Sequence, residues 1–246
     1  MQRSLLERAA VLAALVLVLL VNWLANALPL AGLQTGEVSA VYESYFTPAG
    51  FTFAIWGVIY IGLLLYAIYQ ALPNRRDEGR LGTIGRLFVI NCILNAAWLF
   101  AWHYQYAALT MLLMICLLAT LVLVYRELGE WGETSLLVRI PFTLYLAWIS
   151  VATLANASAL QTSLDLNDAG LNHVQWTLVK IALAGAVGAS VCLLKRDAVF
   201  VLVVAWAAFG IASKQVAVPE VQGAALTVSA LAVMLAVFTL VRLRRS

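Results

Sequence analysis

The chain has 246 residues, of which 64% are hydrophobic and only 11% are charged, and its mean hydropathy is +0.94. Soluble domains are roughly 25% charged and 45–50% apolar, so this composition excludes a soluble globular protein. It predicts an all-α polytopic integral membrane protein. The net charge of +3 comes from basic residues at helix ends and not from one patch, so we expect no nucleic-acid partner.

Eight apolar runs are candidate transmembrane helices, each of which needs about 20 residues to cross a bilayer. The first run, which ends at Ala25-Asn26-Ala27, resembles a signal peptide with a cleavage site. We expect it to be retained, because it is longer than a usual signal core and carries Asn22 and Asn26 on one helical face. The runs lie at about residues 9–27, 49–71, 84–102, 105–126, 136–160, 174–194, 197–213 and 221–241.

Basic residues fall on alternate connections of this eight-span arrangement. If the N-terminus is cytoplasmic, the outer loops hold Lys214 as their one basic residue, and they also carry Glu37, Glu43, Asp165, Asp168 and Glu220. The positive-inside rule therefore predicts that both termini are cytoplasmic. Short loops and this charge distribution suit a bacterial inner membrane.

The second span follows a loop that contains Pro and Gly. Proline suits the first helical turn and Thr47 can cap it, so we predict that a helix begins at Pro48. Trp56 and Tyr60 share one face of this helix and are expected to point inward, since their N–H and O–H groups would lack partners in lipid. The loop before it, Leu30 to Thr47, suits a lid over a pocket.

Two further spans carry stripes of aromatic and amide side chains. One stripe is Asn91, Asn95, Trp98 and Trp102, and the other is Trp148, Ala152 and Asn156. Carboxamides in hydrocarbon need partners, so these residues either bridge helices or line a cavity. The pattern alone slightly favours a bridging role.

Catalytic patterns are missing from the sequence. No carboxylate lies in mid-membrane, and His103 and His173 fall in separate outer loops, so we predict no catalytic site, no metal site and no cofactor. Lys180 lies inside a span, and we expect it to reach the outer interface rather than to bind substrate. Gly185 and Gly188 predict close helix packing.

Three patterns, in this order along the chain, resemble the translocator protein and tryptophan-rich sensory protein (TspO/MBR) family. The residues that carry the resemblance are Pro48, Phe51, Ile55-Trp56 and Tyr60; Leu94-Asn95 and Trp98; and Tyr145-Leu146-Ala147-Trp148, Thr153 and Asn156. The resemblance covers about residues 8–160 and implies a TspO-like five-helix bundle over 1–160. A three-helix extension would follow over 161–246.

The resemblance implies an intramembrane pocket for a hydrophobic aromatic ligand, such as a porphyrin or another tetrapyrrole, or for a sterol-like lipid. Its ligand-binding residues would be Trp56, Tyr60, Asn95, Trp98, Trp148, Ala152 and Asn156. The protein would then be a non-enzymatic sensor or translocator in contact with membrane lipid. Ala49 and Leu99 replace prolines that are common in the family, and the family's Trp and Asp near the start of the fourth helix are missing.

Three alternatives stay open from the sequence. A secondary transporter would use Lys180 and the asparagines for a small polar or amphipathic substrate. An enzyme acting on a tetrapyrrole would use Trp56 or Trp98 as a redox-active indole, and a membrane assembly factor would bind no ligand. The natural ligand, the choice between sensing and transport, a homodimer, and the role of the last three helices are open as well.

Overall fold

A computed structural model describes residues 2–28, 30–42, 44–166 and 170–243. Within these ranges the regular secondary structure is entirely helical. The α-helices are α1 (Leu5–Ala27), α2 (Thr35–Val41), α3 (Ile55–Ala71), α4 (Gly79–His103), α5 (Ala107–Glu127), α6 (Leu136–Ser163), α7 (His173–Lys195), α8 (Ala198–Lys214) and α9 (Pro219–Leu243). Glu43 and Asp168 of the predicted outer loops lie outside the described residues.

The eight predicted spans all correspond to helices. Among the described residues, seven stretches are long and apolar enough to cross a membrane: α1, α4 to α7, α9, and Gly50–Ala71, which contains α3. Helix α8 is apolar but has 17 residues, which is the lower limit of the usual range for a spanning helix. The all-α, polytopic membrane fold is thus confirmed.

The second span begins at Gly50, within one residue of the predicted run, but its N-cap residue is Ala49 and not Thr47, and its first turn is not α-helical. Residues Gly50–Ala54 form a 3₁₀ turn, Ala49 before it is extended without a side-chain cap, and the α-helix begins at Ile55. A tertiary contact explains the delay, because the backbone N–H of Ala49 donates to the carbonyl of Gly210 in α8 at 2.9 Å. That bond holds the chain extended where an isolated helix would already have begun.

The chain divides into two compact units. The first comprises Met1–Val38 and Trp56–Leu146, and the second comprises Ser39–Ile55 and Ala147–Ser246. The predicted division into residues 1–160 and 161–246 followed the family pattern and stays a prediction.

Two buried arginines of the first unit donate hydrogen bonds to carbonyl groups at helix ends. The guanidinium of Arg3 donates to the side chain of Gln70 at 2.9 Å and to the carbonyls of Gln70 and Arg75 at 2.7 and 2.8 Å. The guanidinium of Arg139 donates to the carbonyls of Leu128, Gly129 and Glu130 at 2.6–3.0 Å. Carbonyls at the ends of helices lack partners within the helix, so these side chains satisfy them.

Glycines allow close helix packing in the second unit, as predicted. A Cβ atom at Gly188 would lie 3.0 Å from Val204 of α8, and one at Gly185 would lie 3.2 Å from Val228 of α9. Such contacts are tighter than ordinary van der Waals packing, so glycine lets α7 approach both neighbours.

The segment before α3 is docked on α8 in the same unit. The indole N–H of Trp206 donates to the carbonyl of Thr52 at 2.9 Å, and the ring of Phe51 packs edge-on against Trp206 with centroids 5.5 Å apart. A Cβ atom at Gly210 would clash with the Thr52 side chain, with 2.9 Å to its Cβ atom. Gly210 therefore provides the space that Thr52 occupies.

We expect Gly210→Ala to lower the stability of the protein by about 1–3 kcal/mol, because Thr52 is fully buried and its Cβ atom, which side-chain rotation does not move, would lie 2.9 Å from the new methyl carbon. Thermal unfolding of the detergent-solubilised protein measures this loss. Gly223→Ala in α9 is the matched control, since its new methyl group would meet no atom within 4 Å. Equal unfolding temperatures for the two variants would contradict the docking of this segment.

Candidate functional site

The amide of Asn95 in α4 joins three helices of the first unit. Its Nδ2 atom donates to the Tyr145 hydroxyl of α6 at 2.9 Å, and its Oδ1 atom accepts from Asn22 Nδ2 of α1 at 3.0 Å. Asn95 is 2% exposed, so the amide is shielded from lipid and has found protein partners on both sides. This amide is therefore bonded to two other helices at once.

Aromatic rings surround this amide network. Trp56 stacks on Tyr60 with ring centroids 5.3 Å apart and an interplanar angle of 23°, and it packs edge-on against Tyr145 at 5.7 Å. Three of the predicted ligand-binding residues, Trp56, Tyr60 and Asn95, are thus connected through Tyr145. We call these four residues together with Asn22 the Asn95 cluster.

One polar atom of the Asn95 cluster is unsatisfied. The hydroxyl oxygen of Tyr60 is buried, and it has no hydrogen-bond partner among the described residues. Buried polar groups are nearly always paired, so this hydroxyl requires an explanation. It is the one position in the cluster where a ligand could supply a missing partner.

Trp98 lies one turn beyond Asn95 on α4 and belongs to a second ring pair. It stacks on Trp102 with centroids 5.7 Å apart and an interplanar angle of 16°. The indole N–H of Trp102 donates to the carbonyl of Thr35 at 3.2 Å, and the Thr35 hydroxyl lies 3.0 Å from Nε2 of the fully buried His103. The pair is therefore anchored to the start of α2.

Asn91, on the same stripe of α4, has a bridging role. Its Nδ2 atom donates to the Thr120 hydroxyl at 2.7 Å and to the Leu117 carbonyl at 3.3 Å, both in α5. This part of the stripe packs α4 against α5, as the helix-bridging interpretation predicts.

The remaining predicted residues belong to the second unit. Trp148 is 3% exposed and packs edge-on against Phe53 with centroids 5.9 Å apart. Asn156 is 4% exposed, and its Nδ2 atom donates to the carbonyl of Ala152 one turn earlier, at 3.1 Å. These residues follow one face of α6 within this unit.

Lys180 of α7 is held by neutral oxygen atoms of α6. Its Nζ atom donates to the Ser158 hydroxyl at 2.7 Å and to Gln161 Oε1 at 2.8 Å. In the part of the chain that the structure describes, its ammonium has no carboxylate within ion-pair distance. The described residues also contain no group of three histidine, cysteine or acidic side chains arranged to hold a metal ion.

The sequence partly indicated which further residues join these clusters. Asn22 lies on a polar face of the first predicted span and Tyr145 belongs to the family pattern in the fifth predicted span. The sequence assigns neither residue to the ligand site. Phe53 and Thr35 gave no signal, because their contacts with Trp148 and Trp102 depend on how the loop before α3 and the start of α2 fold.

Seven stretches of the described residues that are long and apolar enough to cross a membrane define an integral membrane protein. The chain belongs to the TSPO-like family, since the family model described as TSPO-like protein matches residues 8–241. This match extends past residue 160 and includes α7 and α8 and nearly all of α9. No curated protein and no solved structure matches the chain.

We expect the Asn95–Tyr145 hydrogen bond to contribute measurably to stability. In a double-mutant cycle of Asn95→Leu and Tyr145→Phe, the coupling energy should be about 0.6 kcal/mol and at most about 1.7 kcal/mol, the range found for polar contacts between membrane helices. Unfolding of the four proteins in mixed detergent micelles measures it. Strict additivity of the two single changes would show that the bond does not form.

Proposed function

We propose that this TSPO-like protein binds a large, flat, hydrophobic molecule within the membrane, without covalent chemistry. A porphyrin is the ligand class that we favour, and a sterol-like lipid is the second. The observation that carries the proposal is the buried Tyr60 hydroxyl, which lacks a partner inside the Asn95 cluster. A polar group left unsatisfied away from water costs about 1–3 kcal/mol, and a ligand with an acceptor atom would recover that free energy.

The Asn95 cluster has the composition of a site for such a ligand. Hydrophobic pockets typically combine aromatic walls with a few polar groups in fixed orientations. Here Trp56 and Tyr60 supply the ring surfaces, and the bond between Asn95 and Tyr145 fixes the polar groups. In the proposal a porphyrin packs against these rings and accepts a hydrogen bond from Tyr60. Trp98, Trp148, Ala152 and Asn156 remain candidate ligand residues through the family resemblance.

A second tyrosine of α3, Tyr66, shows that a ligand site requires more than an unpaired hydroxyl. The Tyr66 hydroxyl also lacks a hydrogen-bond partner, but its ring is fully buried and enclosed by Phe88 and Phe142, with centroids 5.6 and 4.8 Å away. A ligand cannot reach it without displacing these rings. Tyr60 differs in that the residue is partly exposed, although its hydroxyl oxygen is buried like that of Tyr66.

Lys180 supports a second candidate function, a secondary transporter for an anionic amphipathic substrate. Its ammonium is bonded to two neutral oxygens and forms no ion pair with a described residue, and ionisable side chains inside membranes often mark substrate pathways. This function requires uptake coupled to protons or sodium ions. A sensor requires saturable binding without coupling.

We also propose how the protein is oriented in the membrane and which oligomer it forms. The distribution of Lys and Arg supports cytoplasmic N- and C-termini in a bacterial inner membrane. A homodimer is the assembly that we propose to test first, by measuring the mass of the protein in lipid nanodiscs.

The Tyr60 hydroxyl should contribute to porphyrin affinity. We expect Tyr60→Phe to weaken the binding of protoporphyrin IX by about three- to tenfold, which corresponds to roughly 0.6–1.4 kcal/mol for one lost hydrogen bond. Quenching of tryptophan fluorescence in the detergent-purified protein, corrected for inner-filter effects with free tryptophan, measures the dissociation constant. Tyr66→Phe is the matched control, and its affinity should stay within twofold of the wild type.

Either of two results would count against this site. Equal affinities for the wild type and Tyr60→Phe would mean that the hydroxyl does not contact the ligand. An equal loss in Tyr60→Phe and Tyr66→Phe would indicate a general change in packing of α3. Circular dichroism of both variants shows whether the helical fold is retained.

A further inference from the structure

A groove lies beside the C-terminal ends of α7 and α9 in the second unit. It has a volume of about 330 Å³ and is lined by Cys192, Leu193, Arg196, Phe238, Thr239, Arg242 and Leu243. The Cys192 sulfur lies 3.2 Å from the Thr239 hydroxyl, so the two helices are in contact at this point. We call this feature the α7–α9 groove.

The groove contains two arginines without acidic partners. Arg196 and Arg242 are both exposed, and neither has a carboxylate within 4 Å among the described residues. The acid next to Arg196 in the chain, Asp197, is buried and accepts the backbone N–H of Phe200 at the start of α8. Arg242 lies over the ring of Phe238, with its Cζ atom 4.7 Å from the ring centroid.

Helix ends explain part of this arrangement. The C-terminal end of a helix carries a partial negative charge, so basic residues such as Lys195, Arg196 and Arg242 are favourable there for structural reasons alone. That effect does not require two guanidinium groups to line the same cavity, nor does it require the cavity to have apolar walls. Leu193 and Phe238 supply such walls and are 58% and 48% exposed.

We propose that the α7–α9 groove binds the head group of an anionic phospholipid. Arg196 and Arg242 hold the phosphodiester oxygens, for which the planar guanidinium is well suited, and an acyl chain lies along Leu193 and Phe238. The exposed apolar walls favour a lipid over a free phosphate ion. The proposed orientation puts these helix ends at the cytoplasmic surface, where anionic lipids attract basic residues.

The test is native mass spectrometry of the detergent-purified full-length protein with dioleoylphosphatidylglycerol or dioleoylphosphatidylcholine added. The wild type should bind one phosphatidylglycerol at least tenfold more tightly than phosphatidylcholine. The double variant that combines Arg196→Gln with Arg242→Gln should bind phosphatidylglycerol at least tenfold more weakly than the wild type. Lys195→Gln is the matched control for each single arginine variant, because it removes one positive charge next to Arg196 but outside the groove, and it should change the affinity less than twofold.

A water-soluble competitor distinguishes lipid from free anion. Glycerol phosphate at millimolar concentration, which has the head-group phosphate without acyl chains, should not displace phosphatidylglycerol, and displacement would overturn the assignment to a lipid. Equal binding of the two lipids, or equal losses in the double variant and in Lys195→Gln, would overturn the proposal itself.

Two further controls show whether the variants fold and whether the porphyrin site is unaffected. If the double variant does not fold, as judged by circular dichroism, each single arginine variant should lose about threefold in affinity for phosphatidylglycerol, and no loss in either would contradict the proposal. Protoporphyrin IX binding should be unchanged in these variants, because neither arginine belongs to the Asn95 cluster. Failure of one proposal is therefore distinguishable from failure of the other.

Discussion

The bonding of the Asn95 amide is the constraint on which the first unit depends. In hydrocarbon an amide has no water to bond with, so its partners must come from other helices. Asn95 accepts from Asn22 of α1 and donates to Tyr145 of α6, and these two bonds fix the positions of three helices relative to one another. The stacked rings of Trp56 and Tyr60 then pack beside a polar network that is already fixed. The aromatic surface is thereby held in one arrangement.

The buried polar side chains of this protein differ in their hydrogen-bond partners, and these differences indicate different roles. Asn91 finds Thr120 and Leu117 of α5, so it serves helix packing. Lys180 donates hydrogen bonds to two neutral oxygens of α6, and these bonds connect α7 to α6. Its charge has no ion-pair partner in the described part of the chain. The Tyr60 hydroxyl has no partner, and it shares this state with eight other buried side-chain atoms of the described residues, among them Asn91 Oδ1 and the Tyr66 hydroxyl. We infer ligand binding at Tyr60 because its hydroxyl has no partner at all among these residues, and helix packing at Asn91 because its Nδ2 atom donates to two oxygens of α5.

The helices and their polar stripes could be predicted from sequence because both follow local rules, namely hydrophobic length and the 3.6-residue period. The start of α3 could not, since it depends on a bond between Ala49 and Gly210, which lie 161 residues apart in the chain. Periodicity also placed Asn91 and Asn95 on one stripe but could not separate their roles, which depend on Thr120 and Tyr145 in other helices. The state of the Tyr60 hydroxyl is likewise a tertiary property with no local signal.

We propose that the protein has a saturable intramembrane site for a flat hydrophobic ligand. The most direct measurement is an absorption titration of protoporphyrin IX into nanodiscs that contain the wild-type protein, with protein-free nanodiscs of the same lipid as reference. We expect a spectral shift that saturates at a fixed number of porphyrins per protein chain, above a linear background from partition into lipid. A purely linear response, identical in both preparations, would contradict it and would leave the aromatic and amide clusters with a role in helix packing alone.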